Sequence, residues 1–303
     1  MKAAEQVAAA RQGALAVPRD DLVTFVVTGK DRLSWLNGLV TCDLTKAAPG
    51  QASYGLAVGR NGRILADLTV VADESALLVA VPGSVSEGLR AHLDHYIVME
   101  EVELAAGSSR AWAVHGPRAG DALAAARAAG ALGGDLDVTG LGGAFLLAPR
   151  EKGKPVETAL AEHAAWGDES GWEALRLERG VPRFGVDFDD KTYPQEASLE
   201  KAAVSFEKGC YLGQEVVFML EKRGHVKRRL VSLVVDAAEA PPPAGGAPVT
   251  DEAGAPVGEV TSAASSPTLG TAVALAMLKR VHAMPGQGVV VQGARGKVVE
   301  RPA

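Results

Sequence analysis

The chain has 303 residues, of which 47% are hydrophobic and 22% charged, and a formal net charge of −6. Such a composition suits a folded chain of two or three domains and excludes wholesale disorder. The acidic balance argues against a general nucleic-acid or membrane-surface binder, since those depend on summed positive potential.

In chain order, the run 22–27 is rich in β-branched residues and ends at Gly29, which predicts a strand. Asp31 is placed to cap a helix whose apolar residues Leu33, Leu36, Leu39 and Val40 recur at helical spacing. Strands are expected over 54–58 and 64–71, about a turn at Gly59-Arg60-Asn61-Gly62, and again over 76–81. A helix over 84–96 leads to a strand over 98–104. The same grammar repeats as a strand over 111–115, an Ala-rich helix over 117–131 and a strand over 144–149; the stretch 155–180 reads as helical. Near residue 237 the composition changes, and 237–246, with its three prolines and two glycines, reads as a loop between strands. Short Val-rich runs at 256–261, 271–278, 289–292 and 297–299 then read as a small barrel or sandwich. The module boundary falls just before a strand over 230–235, dividing the chain into 1–228 and 229–303.

Several familiar chemistries lack their residues. The Gly-Lys pairs at 29/30, 153/154 and 296/297 are followed by Asp31, Pro155 and Val298, where a phosphate loop needs Ser or Thr. No G-x-G-x-x-G turn follows a strand and no G-x-S-x-G elbow occurs. His92 and His95 read as a polar helix face, and no metal site is expected. Cys42 and Cys210 are too far apart for a local metal knuckle and too few for a disulfide framework, so a reducing compartment is expected. With no signal-type segment and no apolar run of membrane-spanning length, the expectation is a cytoplasmic protein with no membrane partner.

Four features remain. Cys210 sits in Lys208-Gly209-Cys210-Tyr211-Leu212-Gly213-Gln214-Glu215, as either a small buried hydrophobe or a reactive thiol. Lys208 would favour the thiolate if its ammonium stood near the sulfur, and Glu215 would oppose it. Lys222, Arg223, Lys227, Arg228 and Arg229 form either a solvated loop or an anion site for carboxylates or RNA phosphate. Glu178, beside Arg176 and Arg179 where a helix should end, is disfavoured by the helix dipole. It is either a surface glutamate paired with those arginines or an acceptor for a guanidine-like heterocycle. Alternation places Asp67 on the face of its strand opposite Leu68 and Val70.

Taken together, Gly29-Lys30-Asp31, the run 35–44, 62–67, 175–182 and 258–262 resemble the GcvT-like aminomethyltransferase superfamily. Lys-Gly-Cys-Tyr-x-Gly-Gln-Glu at 208–215, with Pro194-Gln195 upstream, is similar to the signature of its YgfZ branch. The resemblance implies an α+β fold of three modules around a central opening, two of them interleaved with antiparallel sheets and the last a β-barrel. It implies a tetrahydrofolate-binding factor that supports assembly or repair of iron–sulfur enzymes, including tRNA-modifying ones, without binding nucleic acid directly. In that reading Cys210 is the acting thiol, Glu178 with Arg176 faces the pterin, and Arg223, Arg228 and Arg229 face the glutamate tail. The alternative it implies is a T-protein-like aminomethyltransferase. Against that alternative, Ala66 stands where T-proteins carry the first of two aspartates, and only Asp67 remains.

Overall fold

The structure is a computed structural model and describes residues 1–237 and 240–300. Ala238 and Glu239 of the expected loop, and 301–303 at the end of the expected second module, lie outside the described residues. The elements run α1 (Ala3–Gln12), β1 (Leu15–Pro18), β2 (Leu22–Thr28), α2 (Arg32–Asn37), β3 (Ala52–Val58), β4 (Ile64–Ala72) and β5 (Leu77–Pro82). Next come α3 (Ser86–Asp94), β6 (Glu103–Ala106), β7 (Arg110–His115), α4 (Ala119–Ala128), β8 (Leu132–Asp135), β9 (Gly143–Ala148) and α5 (Gly153–His163). Then β10 (Ala165–Trp166), α6 (Glu169–Glu178), α7 (Glu200–Ala203) and α8 (Gln214–Lys222) complete the α+β part. The remainder is β11 (Arg228–Val235), β12 (Pro248–Thr250), β13 (Pro256–Ser266), β14 (Thr271–Lys279), β15 (Gly288–Val291) and β16 (Ala294–Val299).

These strands make two five-stranded sheets, ordered β10-β1-β7-β9-β8 and β3-β4-β5-β2-β6, and a closed barrel, β11-β14-β13-β12-β15-β16. Because β1 belongs to one sheet, β2–β6 to the other and β7 to the first again, the two α+β modules are interleaved as expected. Every sheet pairing is antiparallel except β1 with β10. Each sheet buries one face beneath its own helices. Leu68, Val70 and Val79 pack with Leu36 of α2 and Leu89 and Leu93 of α3, while Trp112, Val114 and Leu146 pack with Ala122 and Leu123 of α4 and Val156 and Leu160 of α5. The opposite faces meet: Val71 and Ala80 of one sheet contact Ala111, Ala113, Phe145 and Leu147 of the other. The small alanines in that layer let the sheets approach closely.

Three local expectations change. The helix expected over 155–180 is two helices, separated where Ala165 and Trp166 pair with Leu15 and Ala16. Asp168 then caps α6 by accepting from the Gly171 amide. The strand expected over 98–104 begins only at Glu103, because the Glu100 carboxylate accepts from the Val98 and Met99 amides and holds a turn there. Asp31 precedes α2 but spends its carboxylate on the Glu101 amide instead of on a helix N–H.

Candidate functional site

Beside the contact between the sheets lies a cavity of about 900 Å³, walled by both sheets, the segment 179–184, α7 and the barrel. That volume is in the range of pockets that enclose a drug- or cofactor-sized molecule. The alternation of β4 decides which of its residues reach it. Ala66, Leu68 and Val70 turn to the α2/α3 core, whereas Asp67 and Thr69 face the cavity. Burial pushes the Asp67 carboxyl above the usual carboxylate range, opposed by a hydrogen bond from the Tyr54 hydroxyl (3.1 Å) and by the charge of Arg19. Arg19, also on the wall, makes two 2.8 Å hydrogen bonds to Asp21.

This register changes the meaning of Ala66. It is fully buried on the core side of the strand. An aspartate at position 66 would stand in an apolar layer, so its absence removes nothing from the cavity, and a carboxylate does face the cavity from this strand at 67.

Across from Asp67, β7 contributes Ala113 and His115, and α6 contributes Trp172. The His115 ring stacks on Trp172, with centroids 4.6 Å apart and planes 9° from parallel. Burial pushes its imidazole down to about 3, so it is neutral at physiological pH. On the barrel side stand Glu200, Lys201, Arg229, Ser232 and Arg280.

Other expected binding residues stand elsewhere. Glu178 is not on the cavity wall. Its buried carboxylate accepts from Arg11 Nη2 (2.9 Å), Ser266 Oγ (2.5 Å), and the Thr268 amide and hydroxyl (3.0 and 2.8 Å), tying α6 to α1 and the barrel. Burial pushes this carboxyl up, but those hydrogen bonds outweigh it and hold it below the usual range. A glutamate at a helix C-terminus is disfavoured by the dipole, and here its partners are a barrel turn and Arg11. Arg176 is fully buried and spends its guanidinium on Glu173 (2.6 Å, twice), Val181 O and Asp187 (2.8 Å). Asp187 in turn accepts from Thr261 and Ser262 of β13, both at 2.5 Å. Arg176 therefore joins the module to the barrel and faces no ligand space.

Of the basic cluster, Arg229 alone lines the cavity, paired with Glu200 at 2.5 Å. Arg228 pairs with Glu196 at 3.2 Å, and Arg223 ends α8 on the exposed surface. The cations that do reach the cavity alongside it include Lys201 and Arg280, which have no ion-pair partner among the described residues.

The octapeptide lies outside the cavity, against α2 and the turn after it. Lys208 does not stand free to activate Cys210. Its buried ammonium donates to the carbonyls of Asn37 (2.6 Å), Val40 (2.8 Å) and Cys42 (2.7 Å), which occupies all three hydrogens. Burial pushes this ammonium down to about 8, so it keeps its proton at pH 7. Leu212 N donates to Gly38 O, and Gln214 begins α8 with Glu215 exposed in its first turn. Gly213 sits at φ +76°, where a Cβ would lie 2.3 Å from the Gly59 carbonyl oxygen. Tyr211 is buried, and Cys210 and Gly209 are exposed. Cys210 is thus not the buried hydrophobe; that description fits Cys42, whose thiol burial pushes up to about 11.

The cavity residues without a part in the sequence reading include Arg19, Tyr54, His115, Trp172, Glu200 and Ser232. His115 had a signal: alternation along 111–115 sets it on the face of Ala111 and Ala113, a polar ring at the end of a small-residue stripe.

Two interleaved α+β modules and a barrel thus surround a cavity of cofactor size. The GCVT N-terminal domain model matches residues 2–132, and the glycine cleavage T-protein C-terminal barrel domain model matches 228–302. The chain is 30% identical to an aminomethyltransferase of Nostoc, over 92% of this chain and 81% of that one. It is 28% identical to the tRNA-modifying protein YgfZ of Yersinia enterocolitica, over 73% and 71% respectively. The fold superposes on the aminomethyltransferase T of the Bartonella henselae glycine cleavage system with a TM-score of 0.83, over 99% of this chain and 89% of that one, at 21% identity. The chain belongs to the glycine-cleavage T-protein (GcvT-like aminomethyltransferase) family.

Proposed function

We propose that this protein binds a tetrahydrofolate-class ligand in the central cavity and supports assembly or repair of iron–sulfur enzymes, tRNA-modifying ones among them, with Cys210 as its surface thiol. The cavity carries the first half of the reading. It has the volume for such a ligand, a shielded carboxylate at Asp67, and buried polar atoms of His115, Glu200 and Ser232 without partners among the described residues. Bound tetrahydrofolate would supply ring and linker nitrogens that accept or release a one-carbon unit. The chain's own part is to hold the heterocycle near Asp67, to accept or return a proton there, and to limit water. Lys201, Arg229 and Arg280 replace the expected 222–228 cations as partners for the carboxylate tail.

The second half rests on Cys210, an exposed thiol on a segment fixed by the Lys208 and Leu212 contacts, and on the resemblance of its octapeptide to YgfZ. Tetrahydrofolate titration by calorimetry tests the first half, with saturable heat expected. Cys210→Ser in a strain lacking its own factor tests the second, and the variant is expected to leave cluster-dependent tRNA methylthiolation impaired. Full restoration would sink the thiol's role.

One observation favours a second reading, aminomethyl transfer to tetrahydrofolate: the cavity retains Asp67, and Ala66 faces the core. Purified protein with an aminomethylated lipoyl carrier and tetrahydrofolate decides between them. Turnover that Asp67→Asn lowers by ~10²–10⁴ would establish the transferase, a typical loss for a positioned acid–base group.

A further inference from the structure

We propose that His115 is a ligand-contacting residue of the cavity, an imidazole that meets an uncharged polar edge of the bound heterocycle through one ring nitrogen. The ligand's identity rests on the folate reading above; the assignment of His115 rests on its own geometry.

Four observations carry it. First, β7 turns Trp112 and Val114 to the α4/α5 core and His115 to the cavity face, beside Ala113. Second, both Nδ1 and Nε2 are buried and have no hydrogen-bond partner among the described residues. Buried polar groups in native proteins are nearly always paired, so two orphans on one ring mark a missing partner. Third, the orphans are concentrated. Of nine such side-chain atoms among the described residues, four belong to cavity-lining residues: the two His115 nitrogens, Glu200 Oε2 and Ser232 Oγ. A partner that is not protein, lodged between these walls, would find unmet polar groups on more than one of them. Fourth, the ring is held in place. Trp172 covers one face, and the next residue, Gly116 at φ +127°, packs where a Cβ would come within 2.4 Å of the Gly13 carbonyl oxygen.

The charge state fixes what His115 can read. Burial, and then the nearby Arg19 charge, disfavour the imidazolium, against a weaker pull from Asp137. A neutral imidazole offers one donor and one acceptor. It therefore suits an amide- or aminopyrimidine-like edge and does not anchor a carboxylate, for which the barrel-side cations are better placed.

His115→Phe keeps an aromatic ring against Trp172 and removes both nitrogens. Calorimetric titration is expected to show tetrahydrofolate binding at least about tenfold weaker than wild type, the scale of one lost hydrogen bond. Melting at the same or a higher temperature should accompany it, because no orphan nitrogen is then buried. In wild-type protein labelled with ¹⁵N-histidine, saturating ligand should shift the His115 ring resonances. Equal affinity of His115→Phe and a binding wild type would overturn the assignment and leave folate binding intact. So would unmoved His115 resonances at saturation, which need no variant and would mean that water or nothing satisfies the ring. A wild type that gives no heat would overturn the folate reading and this inference with it.

Discussion

The cavity and the surface octapeptide differ in how much of their chemistry the fold itself consumes. In the octapeptide, Lys208 spends its three donors on the carbonyls of residues 37, 40 and 42, and Gly213 is required by its φ and by the Gly59 carbonyl. The Tyr211 ring is core, with burial pushing its hydroxyl above the usual range. What the fold leaves unexplained there is Gly209, Cys210 and the buried Tyr211 hydroxyl, which has no hydrogen-bond partner among the described residues. In the cavity more is left over, since His115, Glu200 and Ser232 together keep four buried polar atoms that no group among the described residues meets. A conspicuous motif can be mostly architecture, and inconspicuous single residues can carry the unmet demand that a ligand fills.

The comparison breaks most sharply at Arg176, which resemblance placed with the ligand and the structure places in a buried ion-pair network. Arg176→Met leaves Asp187 buried with hydroxyl and amide donors but no cation. Denaturant unfolding without ligand should show a loss of about 3–5 kcal/mol, the usual cost of removing one partner of a buried pair. A fall in tetrahydrofolate affinity with stability unchanged would return Arg176 to the binding site. Gly213→Ala should cost about 2 kcal/mol or more, from the left-handed backbone and the 2.3 Å approach to Gly59 O. A neutral outcome there would mean the octapeptide is less architectural than its contacts show.

The fold was largely legible because its signals are local or covalently near. The runs read as strands became β2, β3, β4, β5, β7, β9 and the main barrel strands. The short β10 was hidden inside a helical stretch because a two-residue strand has no periodicity and exists only by pairing with β1. The helix α1 was passed over for a related reason: its burial of Val7 and Ala10 is set by α6, far away in sequence. At the site, Asp67 was legible from alternation, but the face on which Ala66 lies gained meaning only once the sheet had a core side and a cavity side. Glu178 stands out in the sequence by the helix dipole, and Arg176 only as its neighbour. Their partners, Ser266, Thr268 and Asp187, arrive from chain segments that no local rule connects.

His115 gives the comparison a pH signature. Its imidazole is pushed down to about 3 in the fold, against about 6.5 in the unfolded chain. Between those values the unfolded state binds a proton that the folded state refuses, so stability falls as pH is lowered from 6.5 toward 3. The slope for one such group is about 1.4 kcal/mol per pH unit. His115→Phe carries no proton in either state, and the carboxylates are common to both proteins. The variant should therefore gain on wild type by about that slope between pH 6 and 4 in parallel urea titrations without ligand. Parallel curves would show that the ring is solvated or paired, and would weaken its claim on a ligand.

The smallest expected effect falls at Gly209, and it isolates what the octapeptide presents to the outside. No atom lies within 4 Å of a Cβ built there, and its φ is not in the left-handed region. Gly209→Ala should leave stability within about 0.5 kcal/mol, or raise it slightly by restricting the unfolded chain. The fold thus gives no reason for a glycine at 209, beside an exposed thiol. If melting is unchanged while support of cluster enzymes in cells falls as it should for Cys210→Ser, the missing side chain serves the close approach of a partner to the sulfur. If both stability and support survive, no partner reads Gly209, and the functional surface of the octapeptide reduces to the one thiol.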